Sequence, residues 1–212
     1  MKFITPKFLT LLVLTTSLGA GLSACAPILL SGTVMGSLVA SDRRTTGTQL
    51  EDEGIELRAA SRLRDHLGER VHVNVTSYNR QVLVTGEVPT EQDKQQVEQV
   101  VAKVENVRAV VNELAILGNT TLSQRSSDAY VTGKVKANMV DAKDLFANAF
   151  KVVTERGTTY LMGRVTQREA NRATDVTRST SGVKKVVRVL EIMSEEELQS
   201  LQPKPAPVEV KK

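Results

Sequence analysis

What most limits the folds open to this 212-residue chain is that its body is written twice. The stretch Val73–Val88 aligns without gaps with Phe150–Val165 at an offset of 77, which brings Gly86 onto Gly163. Further on, Val107–Glu113 aligns with Val183–Val189 at an offset of 76. Two small units of one architecture are therefore expected, at residues 51–118 and 126–194, joined by a linker over 119–125.

The periodicities within each unit read helix, strand, strand, helix, strand. Ile55, Ala59, Leu63 and Leu67 recur at helical spacing, and Val71, Val73 and Val75 then alternate as a half-buried strand does. Asn79-Arg80 marks a turn into the strand Val82–Val88. Thr90 is placed to cap a helix whose inner face is Val97, Val100, Val101 and Val104. In the second unit Arg156-Gly157 marks the turn, and Thr166 with Glu169 forms a capping box. The fold class expected is α+β, each unit αββαβ, with a three-stranded mixed sheet packed on two helices. Gly86 and Gly163 fall where a bulge or a close helix would exclude a Cβ atom.

The hairpin running into Val-Leu-Val-Thr-Gly-Glu-Val88 or Tyr-Leu-Met-Gly-Arg-Val165, then a helix and Gly-Val-Lys-Lys-Val186, resembles the BON domain. Two such units behind a lipid-attachment signal resemble the dual-BON outer-membrane lipoproteins. The resemblance implies a non-catalytic module. It further implies that the second domain associates with anionic phospholipid such as phosphatidylglycerol or cardiolipin, with enrichment at the division site and support of envelope integrity.

The N-terminus carries its own address. Lys2 and Lys7 precede a mostly apolar run from Phe8 to Ala20, long enough for a secretory signal and too short to cross about 30 Å of hydrocarbon. It ends in Leu22-Ser23-Ala24-Cys25, which resembles a bacterial lipobox, and Cys25 is the single cysteine of the chain. Residues 1–24 are thus expected to be a lipoprotein signal peptide and Cys25 the site of a covalent acyl and diacylglycerol anchor. Several acyl chains at about 0.8 kcal/mol per buried methylene hold such a terminus in a membrane. Ala26 rather than Asp after the cysteine points to the outer membrane, with the domains most naturally on its periplasmic face. Residues 25–50 read as the lipidated cysteine and a membrane-proximal tether. Residues 195–212, with Pro203, Pro205 and Pro207, read as a flexible tail.

Charge divides the units. Residues 52–117 carry 8 Lys/Arg against 11 Asp/Glu, whereas residues 126–193 carry 12 against 7. The second unit alone would be drawn to anionic headgroups. Its first helix, expected from Ser127 to Ala142, has a core stripe of Val131, Val135, Asn138 and Ala142 with Met139 at the edge. Tyr130, Gly133, Ala137 and Val140 fall on a nearly opposite face flanked by Lys134 and Lys136. An apolar strip beside basic residues suits a headgroup interface, with Tyr130 as amphipathic anchor. The resemblance implies lipid contact at Tyr130 and Val140, with Tyr standing where the family carries a Trp-like anchor. Two readings of the strip stand at this point: it faces lipid, or it packs on the first unit. Lys143 and Lys151 would add to electrostatic steering.

Chemistry is expected to be absent. There is no Gly-rich phosphate loop, serine elbow or zinc-binding helix motif. One cysteine excludes a cysteine-cluster metal site, and His66 and His72 stand six residues apart across a helix–strand turn. No catalytic residue, metal site, dissociable cofactor or nucleic-acid partner is expected. The alternatives to a lipid reader are a protein-interaction module serving an envelope-assembly complex, through the acidic first unit, or a surface-exposed adhesin or antigen.

Overall fold

The computed structural model describes residues 42–201. The expected signal peptide, Cys25 and most of the expected tether therefore lie outside the described residues, as do residues 202–212. In the first unit, α1 (Thr46–Leu67) is followed by β1 (His72–Tyr78), β2 (Gln81–Val88), α2 (Glu91–Ala102), β3 (Ala109–Asn112) and the short β4 (Ala115–Ile116). The second unit comprises α3 (Leu122–Asp141), β5 (Phe150–Glu155), β6 (Thr158–Thr166), α4 (Gln167–Ser179) and β7 (Lys185–Met193), with α5 (Glu195–Leu201) after it. The expected α+β architecture is present in both units.

Each sheet has the central strand flanked by an antiparallel and a parallel neighbour. β2 pairs antiparallel with β1 and parallel with β3, then with β4 further along the same edge. β6 pairs antiparallel with β5 and parallel with β7. The first sheet thus has a fourth short strand, because its parallel edge breaks at Glu113-Leu114, where Leu114 turns into the core. Both hairpins close through two residues at positive φ: Asn79 and Arg80 at 50° and 63°, Arg156 and Gly157 at 52° and 77°. That is the type I′ pattern, whose twist matches that of the strands it joins.

The hairpin turns are held from behind by a carboxylate on the first helix of each unit. Asp52 Oδ2 and Oδ1 accept the backbone N–H groups of Asn79 and Arg80, each at 2.8 Å. Asp128 repeats the arrangement for Arg156 and Gly157 at 2.8 and 2.9 Å. Both aspartates are buried. Gly86 and Gly163 also share one reason: a Cβ atom would come within 2.0 Å of the His72 carbonyl oxygen and 2.4 Å of that of Ala149. The close neighbour is backbone at the entry to the adjoining strand: the first residue of β1 for Gly86, and for Gly163 the last residue of the short 3-10 turn Ala147–Ala149 before β5.

One core lies between α1, α2 and the inner face of the first sheet, built on Ile55, Ala59, Leu63, Val82, Val84, Val97 and Val101. A second joins α3 and α4 to the other sheet through Val131, Val135, Met139, Leu161, Val165 and Ala173. The sequence treats each sheet as having one buried face. The structure buries both, because Tyr78 and Leu83 of the first unit pack with Tyr160, Met162 and Val189 of the second. The outer faces of the two sheets meet, and the strand alternation that sends Val82 and Val84 to the helices sends Leu83 to this seam.

Polar side chains rim the seam. Lys151 Nζ reaches Glu56 at 2.6 Å, Asn79 Nδ2 donates to Glu191 at 2.7 Å, and Asn74 Nδ2 donates to Glu155 at 2.9 Å. Lys151 is therefore committed to the first unit, which removes it from the expected steering set. Asp42–Arg44, expected to be tether, straddle the units. Arg43 grips Glu169 at 2.6 and 2.7 Å, while Arg44 pairs with Asp52 at 2.8 Å and lies 4.2 Å over the ring of Tyr78.

Three expected boundaries are corrected. Residues 46–50 are the first turn and more of α1, capped by Thr45, whose hydroxyl accepts from Thr48 N–H. The expected linker over 119–125 is partly helical, since α3 begins at Leu122 under a capping box of Thr121 and Gln124. The tail begins as helix α5, where Arg164 of β6 pairs with Glu197.

Candidate membrane interface on the second domain

Helix α3 separates its residues sharply. Asp128, Val131, Val135 and Met139 are buried at the four- and three-residue spacing of one helical face. Met139, expected at the edge of that stripe, is fully buried in it. Asn138, expected in the core, is exposed and donates to Thr180 Oγ1 at 2.9 Å. The helix turns its other side outward: Tyr130 is 69% exposed and Val140 67%, with Gly133 and Ala137 exposed between them. A Cβ atom at Gly133 would meet nothing within 4 Å. The strip therefore does not pack on the first domain; the sheets form that contact instead.

Lys134 stands at the edge of the strip with its Nζ 5.0 Å from the centre of the Tyr130 ring, donating to the carbonyl of Ser181. An ammonium over a tyrosine face gains roughly 0.5–1 kcal/mol at an exposed site and holds the ring outward. Lys136 is exposed next to it, and Lys143 follows the helix end. Sequence reasoning passed over Phe146, 59% exposed in the loop after α3, while its neighbour Leu145 is buried in the core. A pair of adjacent apolar residues after a helix carries no periodicity from which to say which one turns outward. Among the described residues no helix is long and apolar enough to cross a membrane.

Both sequence-derived units are matched separately by the BON domain pattern, at residues 52–118 and 127–194. The chain belongs to the BON-domain family. Over 174 residues the dual-BON chain is 35% identical to the outer membrane lipoprotein DolP of Haemophilus influenzae, covering 81% of this chain and 90% of that protein. It is 32% identical over 151 residues to the 21 kDa hemolysin of Actinobacillus pleuropneumoniae, covering 70% of this chain and 78% of the relative. Among solved structures, CdsD of the type III secretion system of Chlamydia trachomatis gives 14% identity and a TM-score of 0.29, covering 68% of this chain and 95% of that one. The two BON domains and the likeness to DolP support an outer-membrane lipoprotein.

The electrostatics of the BON pair are set by how its carboxylates are held. Burial pushes the Glu169 carboxyl up, but the Arg43 guanidinium and the N–H of Thr166 outweigh it and hold the group below its ordinary value. Burial likewise opposes ionisation of Asp52, and the hydrogen bonds from Ser77, Arg80, Arg44 and Asn79 overcome it. His66 is exposed on α1, whereas His72 lies beside Glu87 and Glu155 where the two BON domains meet.

Proposed function

We propose that this chain is a lipoprotein anchored through Cys25 on the periplasmic face of the outer membrane, and that its second BON domain binds anionic phospholipid through the outer face of α3. The observation that carries the reading is the contrast on that helix: Val131, Val135 and Met139 are buried, while Tyr130, Gly133, Ala137 and Val140 stand exposed beside Lys134 and Lys136. Tyrosine suits a headgroup boundary because its ring is apolar and its hydroxyl stays wet. Each basic residue near an anionic surface adds about 1 kcal/mol, so the lysines act together. The anchor supplies constant residence in one membrane, and the weaker second contact supplies location by raising effective concentration at anionic lipid. Enrichment at the division site and support of envelope integrity follow from that two-point attachment.

Flotation of residues 41–212, which lack Cys25, tests the reading with vesicles of phosphatidylglycerol, of cardiolipin and of a zwitterionic lipid. Binding to the anionic vesicles that weakens with salt and is lost in Tyr130→Glu and Val140→Glu supports it. Equal flotation of wild type and both variants overturns it. A protein-interaction reading has its own support in Leu50 and Leu57, two turns apart on α1 and 64% and 72% exposed. Capture of a defined envelope-assembly protein that is lost in Leu57→Glu, with no vesicle binding by the chain, would favour that reading.

A further inference from the structure

At the rim of the seam between the BON domains, three side chains that the sequence keeps far apart converge. His72 is on β1, Glu87 is opposite it on β2, and Glu155 ends β5 of the other domain. One potential ligand atom of each lies within 4.8 Å of the other two. Strand alternation explains the meeting. Val71, Val73 and Val75 point to the helices, which leaves His72 and Asn74 facing the second domain.

We propose that His72, Glu87 and Glu155 form a divalent-metal site of the zinc class that bridges the two BON domains. One imidazole and two carboxylates make a nitrogen–oxygen donor set suited to such an ion. The supporting shell is in place. Glu87 Oε2 lies 2.8 Å from His72 Nδ1 and accepts from the N–H and hydroxyl of Thr120, both at 3.2 Å, while Oε1 faces Arg156 at 3.3 Å. Asn74 Nδ2 orients Glu155 at 2.9 Å. Such partners orient ligands and tune affinity.

Two further features favour a cation here. Glu87, Glu155 and the nearby Asp128 are buried carboxylates gathered at this rim, with Arg156 bonded to Glu87 and Arg125 donating to the Thr120 hydroxyl beside it. An entry path also exists. A groove of about 520 Å³ between the domains is lined by His72, Asn74, Arg125, Asp128 and Glu155. A metal in this place would tie β1–β2 to β5 and so stiffen the seam.

Titration of the detergent-solubilised mature lipoprotein with Zn²⁺ and Co²⁺ tests the assignment. Expected are one equivalent bound, a Co²⁺ visible absorption band, and a Zn²⁺-dependent rise in the unfolding temperature. His72→Ala and Glu155→Gln should each abolish the band and the rise, while His66→Ala keeps both and Asn74→Ala weakens Zn²⁺ binding about tenfold. Glu155→Gln conserves volume, so it reports on ligation even where His72→Ala fails to fold. The assignment is overturned if wild type binds neither ion, or if band and rise persist in Glu155→Gln.

Discussion

The guanidinium of Arg43 and the carboxylate of Glu169 meet across 126 residues of sequence in two parallel hydrogen bonds of 2.6 and 2.7 Å, both side chains withdrawn from solvent. Glu169 already closes the capping box of α4, so its second oxygen also accepts from Thr166 N–H at 3.0 Å. Arg43 adds a bond to the carbonyl of Arg164 at 3.0 Å. The segment that precedes α1 thus docks on the second domain before the first domain begins.

Removing that docking leaves a buried carboxylate without its cation. Arg43→Ala should cost about 3 kcal/mol, the usual scale for breaking one side of a buried pair. Arg43→Lys should recover only part, since an ammonium cannot reproduce the fork. Urea unfolding followed by circular dichroism reads the loss, and an Arg43→Ala midpoint equal to wild type would show that the clasp contributes nothing.

Asp52 predicts the acid limb of stability. Its folded pKa lies below the ordinary 3.8, so its contribution is complete above about pH 4 and is lost as pH falls through the folded value. Asp52→Asn should flatten that part of the stability–pH profile. At neutral pH it should cost about 2 kcal/mol, because an amide loses the charge-assisted bonds to the Asn79 and Arg80 N–H groups. Thermal melts between pH 2 and 7 measure both effects.

Adjacent residues on α3 should behave oppositely. Met139→Ala empties a fully buried position and should cost about 2–5 kcal/mol. Val140→Ala, at an exposed one, should stay within about 0.5 kcal/mol. Under the proposed function Val140→Ala nevertheless weakens flotation on anionic vesicles. Denaturation paired with vesicle binding separates the two roles.

Glycines that look alike in sequence should also diverge. Gly86→Ala drives a Cβ into the His72 carbonyl at φ 118° and should destabilise the first domain by more than 1 kcal/mol. Gly133→Ala, mid-helix and facing open space, should stabilise by roughly 0.5–1 kcal/mol. Melting temperatures of the two variants decide the matter.

Much of this protein is local, and local features are legible in one dimension. The apolar alternation of Val71–Val75, the Asn79-Arg80 and Arg156-Gly157 turns and the Thr166–Glu169 capping box all act within a few residues, and the repeat writes most of them twice. Hydrophobic periodicity and short-range hydrogen bonding therefore determine them before any domain exists. The outward face of α3, with Tyr130 and Val140, was legible for the same reason.

What only the tertiary structure decided lies where two strand faces meet. Nothing in the alternation of β2 or β6 says whether Leu83, Tyr160 and Met162 face water or another sheet. That depends on apolar area contributed by the other domain. Arg43 finds Glu169, Lys151 finds Glu56, and Glu155 finds the His72–Glu87 pair only after both domains have formed and docked. Long-range charge pairing leaves no periodic mark on a sequence, because its geometry belongs to the assembled fold and not to the neighbours along the chain.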